Sequence, residues 1–217
     1  MILKKIKKVM LLMIFSVIFS AIALSQTGLA LTLTPSNDFD ATFYSNHYYT
    51  NDLQISQYGN EEVSFLQFDI SSLKGEAINA TTLNLFSQGG SGTASLYYVL
   101  NTQNSWVSSP SGYFNQSELN TLIGSSPIAL VSGASVGSGL SSFSSVALKN
   151  ALQNSINSSG NNYFSLALVE TKGGPTCFVP NGTNGPNLNV VPAPEPSSIL
   201  LGLIGLSGIL GFRKNPA

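Results

Sequence analysis

Two stretches, Val63-Ser64-Phe65-Leu66-Gln67-Phe68 and Thr82-Leu83-Asn84-Leu85-Phe86, decide the fold class. In the first, strand alternation puts Val63, Phe65 and Gln67 on one face and Ser64, Leu66 and Phe68 on the other. In the second, Leu83 and Leu85 point inward while Thr82 and Asn84 point outward. Upstream, Ala41–Tyr44 and Leu53–Ser56 have the same short, β-prone character, and Ser95–Leu100 follows downstream. These strands recur about every ten residues, the spacing of a domain built from many short strands. Ile128–Val131, Phe143–Val146, Tyr163–Val169 and Leu188–Val191 are the later candidates. Gly89-Gly90-Ser91-Gly92 and Lys172-Gly173-Gly174-Pro175 carry turn residues and are expected to be turns. The Ser- and Gly-rich stretches Val107–Gly112 and Ser132–Ser142 are expected to be surface loops.

One segment has helical spacing. Leu148, Leu152 and Ile156 recur every fourth residue within Ala147–Asn157, and Gly160 is placed to end a helix. No internal repeat is present, so a solenoid is not expected. The predicted fold is all-β: a two-sheet jelly-roll β-sandwich with one short helix and Leu66, Phe68, Leu83, Leu85 and Leu166 in its core.

The two ends differ from this body. Lys4, Lys5, Lys7 and Lys8 precede an apolar run from Val9 to Leu24, and Gly28-Leu29-Ala30 offers small residues at the two positions a signal peptidase must accommodate. Residues 1–30 are therefore expected to be a signal peptide, which makes the protein secreted. At the other end, Pro194-Glu195-Pro196 precedes an apolar run from Ile199 to Phe212, with Gly202, Gly205, Gly208 and Gly211 spaced along it and Arg213-Lys214 closing it. This hydrophobic helix candidate is short against the ~20 residues of a simple span. Its basic end should stay cytoplasmic. Glycine at every third position lets another helix approach closely. The domain organisation expected is 1–30, 31–191 and 192–217.

Charge narrows the function classes. With the leader and tail set aside, only Lys74, Lys149 and Lys172 oppose nine acids, among them Asp38, Asp40 and Asp69. A basic footprint for nucleic acid is absent, so that partner is not expected. The single Cys177 cannot form an intramolecular disulfide, and the single His47 rules out any two-histidine metal site. Serines are too abundant to single out a nucleophile for His47, and Cys177 lies in no nucleophile signature. The reading is non-enzymatic. A surface polysaccharide hydrolase or lyase is the alternative, since nine acids could supply a carboxylate pair across a cleft.

Three acids and three aromatics are the candidate site residues. Asp69 follows an apolar strand and precedes Ile70-Ser71-Ser72, where its carboxylate can accept from the backbone of a turn. Clustered oxygens are also what calcium takes, so Asp38, Asp40 and Asp69 form a candidate structural calcium site. Tyr48, Tyr49 and Trp106 are candidate glycan contacts, because flat aromatic faces stack on sugar rings.

The tail, from Val191 to Lys214, closely resembles the PEP-CTERM sorting signal of Gram-negative bacteria. The resemblance implies recognition by an exosortase at Pro194, Glu195 and Pro196, with Arg213 and Lys214 as the basic stop. It also implies transient inner-membrane anchoring, then delivery to the cell surface or extracellular matrix. The body resembles the DNRLRE domain, a β-sandwich related to carbohydrate-binding modules. Asp40-Ala41-Thr42, Leu53-Gln54-Ile55, Phe65–Leu73, Ile78–Phe86, Trp106, Tyr163–Val169 and Pro186–Val191 carry that likeness, and Gln67 stands where the family usually has arginine. The two resemblances together imply an exported protein of adhesion or biofilm-matrix structure, with extracellular polysaccharide as its partner.

Overall fold

The computed structural model describes residues 29–42, 48–50, 53–56, 62–100, 116–180 and 182–193. Along the chain these form β1 (Leu31–Leu33), β2 (Asn37–Thr42), β3 (Tyr48–Thr50), β4 (Leu53–Ile55), β5 (Glu62–Asp69), a 3-10 turn (Ser71–Leu73) and β6 (Ile78–Tyr98). Then follow α1 (Gln116–Ile123), β7 (Val131–Ser144), α2 (Val146–Asn157), β8 (Tyr163–Phe178) and β9 (Asn187–Pro192). Ala30–Pro192 forms a compact unit of its own. Of the remaining residues, only Leu29 and Ala193 are described. Residues 1–28 of the expected leader and the apolar tail, Ile199–Phe212, lie outside the described residues.

The fold is all-β in character, a curled antiparallel sheet with helices against it. Among the described residues the nine strands hydrogen-bond as one sheet in the order β1-β9-β6-β8-β5-β2-β3, with β7 added on β6 and β4 on β8. A two-sheet sandwich was expected, and the strands form a continuous hydrogen-bonded path. The strands join because β6 and β8 are each long enough to serve two neighbourhoods. The first part of β6 pairs with β9, from Ile78 to Asn84. Its later part pairs with β8, from Ser87 to Tyr98.

That length corrects the turn assignments. The two glycine-rich runs do not reverse the chain but lie opposite one another inside β6 and β8, with Ser91 facing Gly174 and Gly92 facing Gly173. The register slips between Ser87 and Gly89, between Gly89 and Ser91, and between Thr93 and Ala94. Glycine is needed here for space. A Cβ on Gly173 would lie 2.4 Å from the Gly92 Cα, and the residue also has φ +126°. In a strand, glycine marks a bulge or a close backbone approach as readily as a turn.

The stretch 132–142 is likewise a strand rather than a loop. β7 pairs with β6 from Thr82↔Ser144 to Leu96↔Val131. Val136, Ser141 and Phe143 turn inward and are buried. The Gly133 N–H donates to Ser95 Oγ at 3.1 Å, beside the register slip between Ala94 and Leu96. Of the strand expected at Ile128–Val131 only Val131 lies in a strand, and the Leu130 N–H donates to the Leu96 carbonyl at 2.7 Å just before it. Phe143 and Ser144 end β7, and Val146 already opens α2.

α2 forms where its period-four leucines place it. Ser145 caps it by accepting from the Leu148 N–H at 2.9 Å, and donates its own hydroxyl proton to the Leu130 carbonyl. Such a cap satisfies one of the first-turn N–H groups that have no helical partner. At the other end, Lys74 Nζ donates to the carbonyls of Ser155 (3.2 Å), Ile156 (3.1 Å), Ser158 (3.1 Å) and Asn161. A cation at a helix C-terminus meets both the unpaired carbonyls and the negative end of the dipole. Leu148, Leu152 and Ile156 then close the main core over Leu66, Phe68, Leu83, Leu85, Phe164 and Leu166.

A second helix, α1, was not foreseen. Leu119 and Ile123, one turn apart, cover the opposite face of the sheet and bury Val63, Phe65, Val99 and Ala167 beneath them. β5 is therefore dry on both faces, with its two sets of alternating residues in two different clusters. Gln67 is 0% exposed on this strand. Its Oε1 accepts from Asn37 Nδ2 at 2.8 Å and its Nε2 donates to Ser165 Oγ at 3.2 Å. These partners stand directly opposite on β2 and β8. A buried amide is tolerated when both its ends are bonded. Among the described residues no helix is long and apolar enough to cross a membrane.

Candidate functional site

Two of the candidate acids, Asp38 and Asp69, stand apart. Asp69 closes β5 in an exposed position, and its Oδ1 accepts from the Ser71 N–H at 2.8 Å. The Ser71 hydroxyl and then its backbone N–H hold the Asp69 carboxyl below the ordinary value. Asp38 sits on β2 opposite Leu66. Burial holds its carboxyl above the ordinary value, against the lowering effect of its own backbone N–H. Paired residues share a face and neighbours along a strand alternate. Leu66 and Asp69 are three apart, so Asp38 and Asp69 lie on opposite faces of the sheet. Among the described residues no group of three or more His, Cys, Asp or Glu comes together as a metal site.

Asp40 occupies a backbone position on β2 opposite Ser64 and Tyr49. Tyr48 and Tyr49 are placed on the short β3, opposite Ala41 and Asp40. Trp106, Pro194, Glu195, Pro196, Arg213 and Lys214 lie outside the described residues, as does His47.

Asp38 opens instead into a groove that no spacing in the sequence pointed to. Among the described residues Thr34, Pro35, Ser36, Pro180, Gly182, Gly185 and Pro186 also line it, and its volume is about 360 Å³. Two connectors meet there, the one between β1 and β2 and the one between β8 and β9. They are neighbours because β9 pairs with β1 while β5 carries β2.

Both connectors are held firmly. Ser36 bonds to the Gln67 carbonyl twice, through its N–H at 2.7 Å and its hydroxyl at 3.1 Å. Pro35 before it fixes its own φ. On the other side the Val179 N–H donates to the Phe86 carbonyl at 2.8 Å, and the Gly185 N–H closes a turn on the Gly182 carbonyl at 3.0 Å. Pro186 is buried and anchors the entry to β9. Among the described residues the groove has one carboxylate, two hydroxyls and three prolines. Turn chemistry at Thr34-Pro35-Ser36 and Pro180–Pro186 marks two loops. Their adjacency depends on strand pairing between distant parts of the chain.

A second surface carries polar groups in order. Across β1, β9, β6 and β7, Thr32, Asn189, Thr82 and Ser144 form one row, and Asn187, Asn84 and Ser142 form the next. Thr32 Oγ1 donates to Asn189 Oδ1 at 2.8 Å, Asn84 Nδ2 to Asn187 Oδ1 at 3.0 Å, and Ser142 Oγ to Asn84 Oδ1 at 2.7 Å. No charged side chain stands in either row. These side chains bond mainly to one another.

Comparison with protein-family models and with curated proteins finds no match for this chain.

Proposed function

We propose that this chain is an exported, exosortase-processed protein of the cell surface or extracellular matrix, with a jelly-roll-like β-sandwich body that contacts polysaccharide. The observation that carries the reading is the order of elements at the C-terminus. Pro194-Glu195-Pro196 comes first, then the apolar run Ile199–Phe212 with its glycines, then Arg213-Lys214. The two prolines keep the cut site extended, since each blocks helix continuation and restricts the residue before it. The basic pair holds the far end on the cytoplasmic side and sets the depth at which that site emerges. Signal peptidase acts on the leader and exosortase on the tail, so the membrane is a transient station.

The body supports a structural, glycan-facing role. A curled sheet with a continuous core is a stable scaffold without disulfides, and it presents an uncharged polar face together with a groove. The DNRLRE-like stretches agree with that use, and nucleic acid has no counterpart in so acidic a body.

Mass spectrometry of the exported protein tests the proposal. The expected product ends near Pro194-Glu195-Pro196. Replacing those three residues by alanine should leave an uncut, membrane-bound precursor. An exported chain intact through Ala217 would overturn the processing step.

A further inference from the structure

We propose that the Asp38 groove binds a protonated amino-sugar unit of a glycan chain, a site that rests on the polysaccharide reading above. Among the described residues the carboxylate is the only charged side chain lining the groove. Among the described residues it is held by its own backbone N–H, and burial works against its charge. A half-buried charge with no counter-charge among the described lining is a standing cost to the fold, and a cation arriving from outside reduces that cost through a charge-assisted hydrogen bond.

The walls select the kind of cation. Among the described lining, Pro35, Pro180 and Pro186 have no N–H and the Gly185 N–H is already given to the Gly182 carbonyl, so an anionic ligand finds few donors. The partly exposed Pro35 and Pro180 instead offer apolar C–H groups against which the C–H face of a pyranose can pack. Thr34 and Ser36 stand at the rim as hydroxyls. The Ser36 proton is already given to the Gln67 carbonyl at 3.1 Å, which leaves its oxygen free to accept from a sugar hydroxyl. A neutral sugar would leave the Asp38 charge uncompensated. An amine on a sugar ring meets every feature at once. The volume of about 360 Å³ falls at the lower end of the roughly 300–1,000 Å³ that small-molecule sites occupy.

The experiment is a calorimetric titration of the full chain with two oligomers of equal length, one of β-1,4-linked glucosamine and one of its N-acetylated form, and with neutral and acidic glycans in parallel. The glucosamine oligomer should bind roughly tenfold or more tightly than the acetylated one. Asp38→Asn should reduce it to the acetylated level while leaving the melting temperature no lower than wild type. Equal binding of the two oligomers, or undiminished binding by Asp38→Asn, would overturn the assignment. Binding of neutral or acidic glycans alone would also overturn it and would leave the polysaccharide reading standing. If no glycan binds at all, both fail.

Discussion

The two neighbourhoods of the sheet are buried differently. Around the first part of β6, Leu83, Leu85, Leu188 and Phe143 face the core, while Thr82, Asn84, Asn189 and Ser142 form the outer face. Around β5 and the first part of β8, both faces are dry. Leu66, Phe68, Leu166 and Leu168 face the main core, and Val63, Phe65 and Ala167 lie under α1. The sequences differ accordingly. Thr82–Phe86 alternates cleanly, while Phe164–Val169 is nearly continuous in small and apolar residues. A strand with one wet face needs only one apolar set, and a strand covered on both sides needs two. A continuous apolar strand is therefore a sign of a second layer, supplied here by a short helix with two buried anchors.

The largest expected effect is at the junction of the two neighbourhoods. Gly173→Val puts a branched side chain where even a Cβ would lie 2.4 Å from the Gly92 Cα. Stability should fall by more than about 4 kcal/mol, or the chain should fail to fold. Urea denaturation monitored by circular dichroism measures this, and a wild-type midpoint would mean that β6 and β8 do not approach as closely as described.

A smaller effect is expected on the inner side, where Lys74 closes the end of α2. Lys74→Met keeps the aliphatic stem and removes hydrogen bonds to four carbonyls. About 2 kcal/mol should be lost, in line with hydrogen bonds from a charged group. Hydrogen exchange should speed up first in the last turn of α2. Uniform exchange across the helix would mean that the lysine does not anchor that end.

The two acids give the smallest effects, of opposite sign. The carboxyl of Asp69 is lowered in the folded state, so its contribution is present above the unfolded value and is lost as pH falls through the folded one. The carboxyl of Asp38 is raised, so its ionised form opposes folding above the folded value, and that opposition is relieved as pH falls. At neutral pH, Asp69→Asn should lower the melting temperature slightly, and Asp38→Asn should leave it unchanged or raise it. A drop for Asp38→Asn would show that its charge serves the fold.

Much of the architecture was legible because it rests on local periodicity. The alternation at Thr82–Phe86 placed Leu83 and Leu85 in the core, and the period-four leucines of Ala147–Asn157 marked α2 within one residue of its start. The misses have physical causes. Glycines at 89–92 and 172–175 serve a close approach between two long strands, and sequence composition alone does not separate that from a turn. Ser132–Ser142 has little apolar signal because backbone pairing to β6 carries it, with Val136 and Phe143 as anchors. α1 is only two turns long, and its covering role appears only once Val63 and Phe65 are seen to need a cover. Asp38 was legible as a residue of interest, but its neighbours were not. They come from the connectors on either side of the β1–β9 pair, brought together by pairings across nearly the whole domain.

The central structural claim is that β5 is buried on both faces, and Phe65 tests it most directly. Phe65 is 0% exposed on the face covered by α1, as Phe68 is on the face covered by α2. The account predicts that Phe65→Ala and Phe68→Ala each lower stability by roughly 3–5 kcal/mol in chemical denaturation. A Phe65→Ala midpoint equal to wild type, beside a strongly shifted Phe68→Ala, would show that this face of β5 is open to solvent and would contradict the two-sided core.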